Sequence, residues 1–265
     1  MMSNGSENRQ KLTVIIPSYN EEQNIERCLK SVSWADEILV VDSFSTDRTL
    51  EIAKKYTHRI LQHEYRNSAA QKNWAIPQAC HAWVLLVDCD EKVSKPLGDE
   101  IRTLLLQDPT KDGYWVFRNN YLMGKRINYS GWGRDSVLRL FRKDLACYDG
   151  KRVHAEIKMK NTGMLEARLD HYSIASITAW VNKINRYSSW KAEDKHEKQV
   201  RAPVLHLLFR PPLRFIKDFI FRLGFLDGWR GFLIASMSSF GELIMAAKLI
   251  RRRYPKRNED SSALG

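Results

Sequence analysis

The chain has 265 residues, 43% hydrophobic and 28% charged. That is enough to bury a sizeable core, and it excludes a disordered, collagen-like or disulfide-scaffold protein. Lys and Arg number 43 against 31 Asp and Glu, a formal net charge of +12, and residues 201–265 hold 12 basic and 5 acidic side chains. Such a basic end points to an anionic partner, either nucleic acid or a membrane surface. The cysteines Cys28, Cys80, Cys89 and Cys147 show no C-x-x-C spacing, so a zinc ribbon and a thioredoxin-like motif are excluded. Residues 1–11 are polar and lack the apolar region of a secretory signal. No run of about 20 uninterrupted apolar residues marks a conventional transmembrane helix. The expectation is a cytoplasmic protein.

Residues 12–16, LTVII, form a short continuous apolar run typical of a strand buried on both faces, and Pro17 is expected to stop it. Asn20 with Gln23 resembles a helix-start capping pair. The helix that follows places Ile25, Cys28, Leu29 and Val32 on one face. Residues 37–41, EILVV, read as a second strand, with Ser45 or Thr46 capping a helix to about Tyr56. Residues 59–63 read as a weaker third strand and residues 83–87, WVLLV, as a strong fourth. This alternation implies right-handed crossovers and a parallel sheet, in which ligands bind at the carboxyl ends of the strands. Residues 94–107 read as a helix with Pro96 in its first turn. Residues 114–118, 137–142, 153–158 and 165–170 then look like strands, and helical periodicity returns over 176–198.

Pro203, Pro211 and Pro212 are expected to break the chain before a basic, aromatic-rich tail. Within the tail, residues 213–226 predict a helix with a stripe of Phe215, Ile216, Phe219, Ile220 and Leu223. Residues 232–247 form a second apolar run containing Glu242. At ~1.5 Å per residue it spans about 24 Å, short of the ~30 Å hydrocarbon core. Arg251, Arg252, Arg253, Lys256 and Arg257 follow, suited to anionic lipid. The expected organisation is a disordered N-terminus over 1–11, a catalytic domain over 12–200, a basic amphipathic helical extension over 201–256 and a disordered tail over 257–265.

Three acidic positions lie just past strands: Asp42 after EILVV, and Asp88 and Asp90 after WVLLV. Two Asp residues separated by one residue can share a hard divalent cation that also holds substrate phosphates. An Asp-x-Asp alone also arises as a turn or a helix-start cap, but this pair ends the strongest strand, in the same α/β half as Asp42. The loop after the first strand contains no glycine. That excludes a Rossmann fingerprint and a P-loop, both of which need glycine for close approach to phosphate.

Three segments together resemble glycosyltransferase family 2: residues 14–22 (VIIPSYNEE), residues 41–49 (VDSFSTDRT) and Asp88-Cys89-Asp90-Glu91. Trp34-Ala35-Asp36-Glu37, Gln71-Lys72-Asn73, Arg139-Leu140-Phe141-Arg142, Val153-His154 and Leu226-Asp227-Gly228-Trp229 are similar to a short bacterial subgroup, the lipopolysaccharide core β-1,4-glucosyltransferases. The resemblance implies an α/β chain of GT-A fold, a mostly parallel sheet with helices on both faces, plus a membrane-associating helical extension. It implies that Pro17, Tyr19 and Glu21 line the nucleoside pocket, that Asp42 accepts from the base, and that Lys72 lies near the base or pyrophosphate. Asp88 would contact the ribose or the metal, and Asp90 would bind Mg²⁺ or Mn²⁺.

The implied reaction is inverting transfer of glucose or another hexose from a nucleotide-diphosphate sugar, UDP-linked, to a glycolipid or lipopolysaccharide-core acceptor. The enzyme would be cytoplasmic, peripheral on the inner membrane face, with no nucleic acid partner. Alternatives are the same chemistry on an exopolysaccharide, polyprenyl phosphate or protein, and a non-catalytic basic module binding membrane or nucleic acid. The reaction needs a general base. The subgroup often shows Val-His-Glu, whereas this chain has Val153-His154-Ala155-Glu156, which puts His154 and Glu156 on one strand face. Glu156 is favoured over His154 and Asp135. One of Arg139 and Arg142 is a candidate for donor phosphates, Trp132 for the sugar or acceptor, and His171 for the metal.

Overall fold

The computed structural model describes residues 9–149, 156–174, 176–200 and 203–254. The chain divides into two compact units. One runs to Arg126 and takes in Gly133–Ser173; the other comprises Ile127–Trp132 and the chain from Ile174 onward.

The first unit is built on β1 (Leu12–Ser18), β2 (Glu37–Asp42), β3 (Ile60–Gln62) and β4 (Trp83–Leu86), with β5 (Glu91–Val93), β6 (Gly113–Leu122), β7 (Lys125–Arg126), β8 (Ser136–Arg142), β9 (Thr162–Met164) and β10 (Leu169–His171). The sheet order is β3-β2-β1-β4-β8-β6-β10-β5, with β7 and β9 pairing β6. β3, β2, β1 and β4 are mutually parallel, while β8 runs antiparallel to β4 and β6. β10 is parallel to β6 and antiparallel to β5. The helices are α1 (Ile25–Ser31), α2 (Thr49–Ala53), α3 (Ser68–Ala75) and α4 (Lys95–Leu106).

Alternate strand residues feed two apolar layers. Val14, Ile16, Val40 and Leu85 pack with Ile25, Cys28 and Leu29 of α1 and Leu97, Ile101 and Leu105 of α4. Ile15, Leu39, Val41, Val84 and Leu86 pack with Ala75 and Ile76 at the end of α3. Thus the expected α1 stripe is fully buried, and Ser94 caps α4 by accepting from the Leu97 amide.

Several local expectations are corrected. Pro17 lies inside β1 rather than ending it. Ile15 accepts from Val87 on the β4 side and Ser18 accepts from Ser43 on the β2 side. By alternation the donorless Pro17 nitrogen faces β4, whose ladder with β1 ends at Ile15–Leu86. No ladder bond is lost there. Asn20 does not cap α1. It adopts a left-handed φ of 51° and accepts from the Thr46 amide, while α1 starts after Asn24 without a side-chain cap. Neither Ser45 nor Thr46 caps α2, which starts at Thr49; Ser45 is held by Asp42 instead. Of the strand expected over 165–170, only residues 169–170 are in a strand, β10, and a short strand, β9, precedes the range. Of residues 153–158, 153–155 lie outside the described residues and Ile157 forms an isolated bridge to Tyr148.

The second unit holds α5 (Ile177–Glu197), α6 (Pro203–Ile216), a π-helical turn (Lys217–Phe221), a 3₁₀ turn (Gly224–Asp227) and α7 (Trp229–Arg253). α5, which lies within the range 12–200 expected for the catalytic domain, falls in the second unit. Ala192 of α5 packs with Met245 and Leu249 of α7. Lys248 ties the same helices by donating to Asn185, Ser188 and Ser189 at 2.6–2.9 Å.

The prolines do not break α6. Pro203 opens it, where a missing donor costs nothing, and Pro211 and Pro212 lie within it. The exposed Leu208 and partly exposed Leu207 carry the carbonyls that lose donors, four residues back. Residues 213–226 are not one helix. The chain leaves helical geometry at Leu223, φ 56°, where the Asp218 side chain holds Arg214 and Arg222 at 2.6 and 2.9 Å. The predicted stripe splits accordingly. Phe215 and Phe219 cluster with Phe225 and Phe232, whereas Ile216, Ile220 and Leu223 are exposed. α7 has 25 residues rather than about 16, and is long and apolar enough to cross a membrane by length and composition.

Candidate functional site

The first unit gathers its polar side chains at the carboxyl ends of β1, β2 and β4. Asp42 ends β2 fully buried; its carboxylate accepts from Ser18 Oγ at 3.0 Å, Ser45 Oγ at 2.5 Å and the Ser45 amide at 2.8 Å. It thereby shapes the turn that presents Phe44, half exposed at φ 58°. Tyr19 is exposed on the neighbouring β1 loop and Pro17 is half-buried.

α3 supplies the Gln71-Lys72-Asn73 triplet, and each residue has a separate task. Gln71 donates to the Val41 carbonyl and Ser43 Oγ, holding the end of β2. Asn73 both donates to and accepts from the Tyr148 backbone. Lys72, almost buried, reaches Asp88 Oδ1 at 3.1 Å.

Asp88 and Asp90 follow β4 but have unlike surroundings. Arg139 Nη2 lies 2.5 Å from Asp88 Oδ2 and 2.6 Å from Glu91 Oε1. Burial alone would raise the Asp88 carboxyl, but the Arg139 and Lys72 charges outweigh it and hold it well below the usual carboxylate range. Asp88 is therefore a neutralised anion. Arg139 is buried and bridges the two carboxylates through one nitrogen. Arg142 is exposed and paired with Asp144. Trp132 belongs to the second unit, half-buried with its ring 6.1 Å from Trp180.

Asp90 faces His171, with Nε2 3.5 Å from Oδ2. Three side chains fix which nitrogen that is. Arg118 donates to Asp135 Oδ2 through Nε and Nη2 at 2.9 and 2.6 Å. Asn120 Nδ2 donates to the same oxygen at 3.1 Å. Asn120 Oδ1 is thus the acceptor that meets His171 Nδ1 at 2.5 Å. In the neutral ring Nδ1 carries the hydrogen, and the Nε2 lone pair faces a carboxylate oxygen. Two acceptors face to face, one nitrogen and one hard oxygen, fit a divalent cation between them. Glu21 adds to the negative field: burial, then the charges of Asp90, Asp88 and Asp47, raise its carboxyl against the bond from Asn24. Among the described residues, no group of three or more His, Cys, Asp or Glu is gathered as a metal cluster.

For the base, Glu156 is exposed, with its amide bonded to Asp149 and its carboxylate in no hydrogen bond among the described residues. Asp135 is clamped by Arg118, with Nη2 2.6 Å from Oδ2. His154 lies outside the described residues. Sequence reasoning missed Glu91, Arg118 and Asn120. Glu91 is fully buried between Arg139 and Arg118. The amide pair Asn119-Asn120 inside an aromatic strand was the one signal for that side of the site.

The family model described as Glycosyl transferase family 2 matches residues 13–158. The chain is 30% identical over 258 residues to the lipopolysaccharide core biosynthesis glycosyltransferase LpsC of Rhizobium meliloti, covering 92% of this chain and 94% of that one. It is 28% identical over 262 residues to an uncharacterized glycosyltransferase of Rickettsia typhi, covering 94% and 89%. Among solved structures, S. aureus TarS 1–349 is 18% identical with a TM-score of 0.47, covering 94% of this chain and 93% of that one. The parallel β3-β2-β1-β4 half with its antiparallel continuation is the GT-A fold, and the chain belongs to glycosyltransferase family 2.

Proposed function

We propose that this glycosyltransferase is inverting and metal-dependent, and moves glucose or another hexose from a UDP-linked donor to a glycolipid or lipopolysaccharide-core acceptor. The observation that carries the reading is the unlike pair at the end of β4. Asp88 is neutralised by Lys72 and Arg139, while Asp90 Oδ2 faces His171 Nε2 at 3.5 Å. Asp90 and His171 would hold Mg²⁺ or Mn²⁺, with Asp88 contributing charge beside them. The bound cation would neutralise the diphosphate as it leaves, so no protonated leaving-group acid is needed. Pro17, Tyr19 and Glu21 would line the nucleoside pocket, with Asp42 accepting from the base and Lys72 near the base or the pyrophosphate. The acceptor oxygen bonds to the anomeric carbon from the face opposite the leaving phosphate oxygen, whose bond to that carbon breaks. The hydroxyl proton passes to Glu156, whose open carboxylate favours it over Asp135. The relative named for lipopolysaccharide core biosynthesis supports that acceptor class.

The second unit supports attachment to the inner face of the cell membrane. Leu205, Leu208, Phe209, Leu213 and Ile216 follow helical spacing on α6 and are 42–60% exposed. Phe221, Leu226, Trp229 and Phe232 are also exposed. Arg210, Arg214, Arg222 and Arg230 are interspersed among them. Apolar side chains of this size ringed by arginine suit an anionic bilayer interface. The test is a panel of nucleotide sugars with and without Mn²⁺, scored for hydrolysis and thermal shift. Manganese-dependent stabilisation and turnover by UDP-sugars are expected; a response only to non-nucleotide sugars, or none to any donor, would overturn the reading.

A further inference from the structure

The first unit carries a cavity of about 620 Å³ between α1, β5 and the start of α4, within the ~300–1,000 Å³ range of small-ligand sites. Five basic side chains line it, Arg27, Lys30, Lys92, Lys95 and Arg102, against two acids, Glu22 and Glu26. Lys30 is answered by Glu26 at 3.0 Å, and Arg102 by Asp99 outside the lining. Lys92 and Lys95 form no ion pair among the described residues.

Two further features add to the charge and order of this wall. Arg27 donates through Nη2 to Asn24 and stacks on Tyr172 at 4.1 Å, yet its buried Nε has no hydrogen-bond partner. Lys95 also opens the 12-residue α4, whose positive end reinforces the cationic wall. An aromatic wall completes the cavity. Trp34 lies against Gly98, where a Cβ would meet its Nε1 at 3.1 Å, and Arg102 covers the ring at 5.5 Å.

The cavity stands beside the acidic site without sharing its charge. Lys92 is two residues past Asp90, and Tyr172, under Arg27, donates its amide to the Asp90 carbonyl at 2.8 Å. The lysine-lined wall attracts an anion. We propose that this cavity binds an anionic group, a phosphate or a carboxylate, carried by the acceptor saccharide. The identity of the occupant as acceptor rests on the transferase reading; the oxyanion chemistry rests on the wall itself.

The test titrates glucose 6-phosphate, glucuronate, glucose and inorganic phosphate into labelled protein, reading the Trp34 indole resonance by NMR. The two anionic sugars should shift it saturably and glucose should not. Lys92→Ala/Lys95→Ala, altering two side chains at the rim, should weaken the anionic sugars at least tenfold while its spectrum stays folded. Lys95→Glu should weaken them further. Equal titration by glucose, or full affinity in the double variant, would overturn the site. Inorganic phosphate binding as tightly as glucose 6-phosphate would overturn the saccharide-borne source in favour of free phosphate. Asp90→Ala should lose manganese-dependent UDP binding and keep the Trp34 response, so failure of the donor reading and failure of this one give different results.

Discussion

Arg139→Met tests whether the buried charge cluster is what holds Asp88 in place. Arg139 is 4% exposed and bridges Asp88 and the wholly buried Glu91 at 2.5 and 2.6 Å. Methionine keeps much of the side-chain volume and removes the charge. Glu91 is then left with Arg118 at 3.3 Å and the Asp88 amide at 3.0 Å. Breaking one side of a buried pair costs about 3–5 kcal/mol, because the remaining charge stays desolvated. For a domain of this size each kcal/mol moves the midpoint by about 2–4 °C, so thermal unfolding should fall by about 6–20 °C. Adding Glu91→Gln removes the stranded charge. The double variant should therefore recover part of the loss, with a coupling of about 1–3 kcal/mol. Urea unfolding followed by tryptophan fluorescence gives both numbers. A loss under about 1 kcal/mol, or strictly additive single and double variants, would show that the cluster does not act as a unit.

Asn120→Leu should weaken Mn²⁺ binding by about 10–100-fold in electron paramagnetic titrations, because it frees the His171 ring to turn or change tautomer; unchanged affinity would rule out that role. Glu37 is held at about 2, below its ordinary 4.5, because bonds from Thr13, the Cys80 amide and Arg59 outweigh the upward push of burial. A carboxyl depressed in the folded state stabilises above its unfolded value, so its contribution is complete above about pH 5 and lost as pH falls toward 2. The stability gap between wild type and Glu37→Gln should narrow over that window, and a pH-independent gap would contradict the assignment. Glu156→Gln should abolish transfer and leave donor binding intact; turnover within a few-fold of wild type would remove it as the base. Leu208→Gln/Leu213→Gln should reduce partitioning onto anionic vesicles without changing UDP binding, and equal partitioning would argue against an interfacial α6.

The first four strands, α1 and α4 were legible because buried parallel strands are unbroken apolar runs and their helices carry clean stripes, as at Ile25, Cys28 and Leu29. Asp42, Asp88 and Asp90 were legible because a carboxylate at a strand end has no packing reason to be there. What was not legible is long-range. α3 has a weak apolar pattern, since Gln71, Lys72 and Asn73 are spent on β2, Asp88 and Tyr148. Arg139 reads as a surface or phosphate charge until β8 is paired beside β4. The tyrosine- and asparagine-rich β6 gives no hint that Asn120 stands beside His171, because that register exists only once β10 is docked. Pro211 and Pro212 misled the reading of α6, where local propensity yields to a helix already held by neighbours.

The most direct measurement titrates UDP-glucose and UDP into the purified full chain by calorimetry, with Mn²⁺ and with chelator, for wild type and Asp90→Ala. Saturable binding in wild type that needs Mn²⁺ and disappears in Asp90→Ala is the predicted outcome. Binding that is equal with chelator, or undiminished in Asp90→Ala, would contradict a metal held by Asp90 at the end of β4.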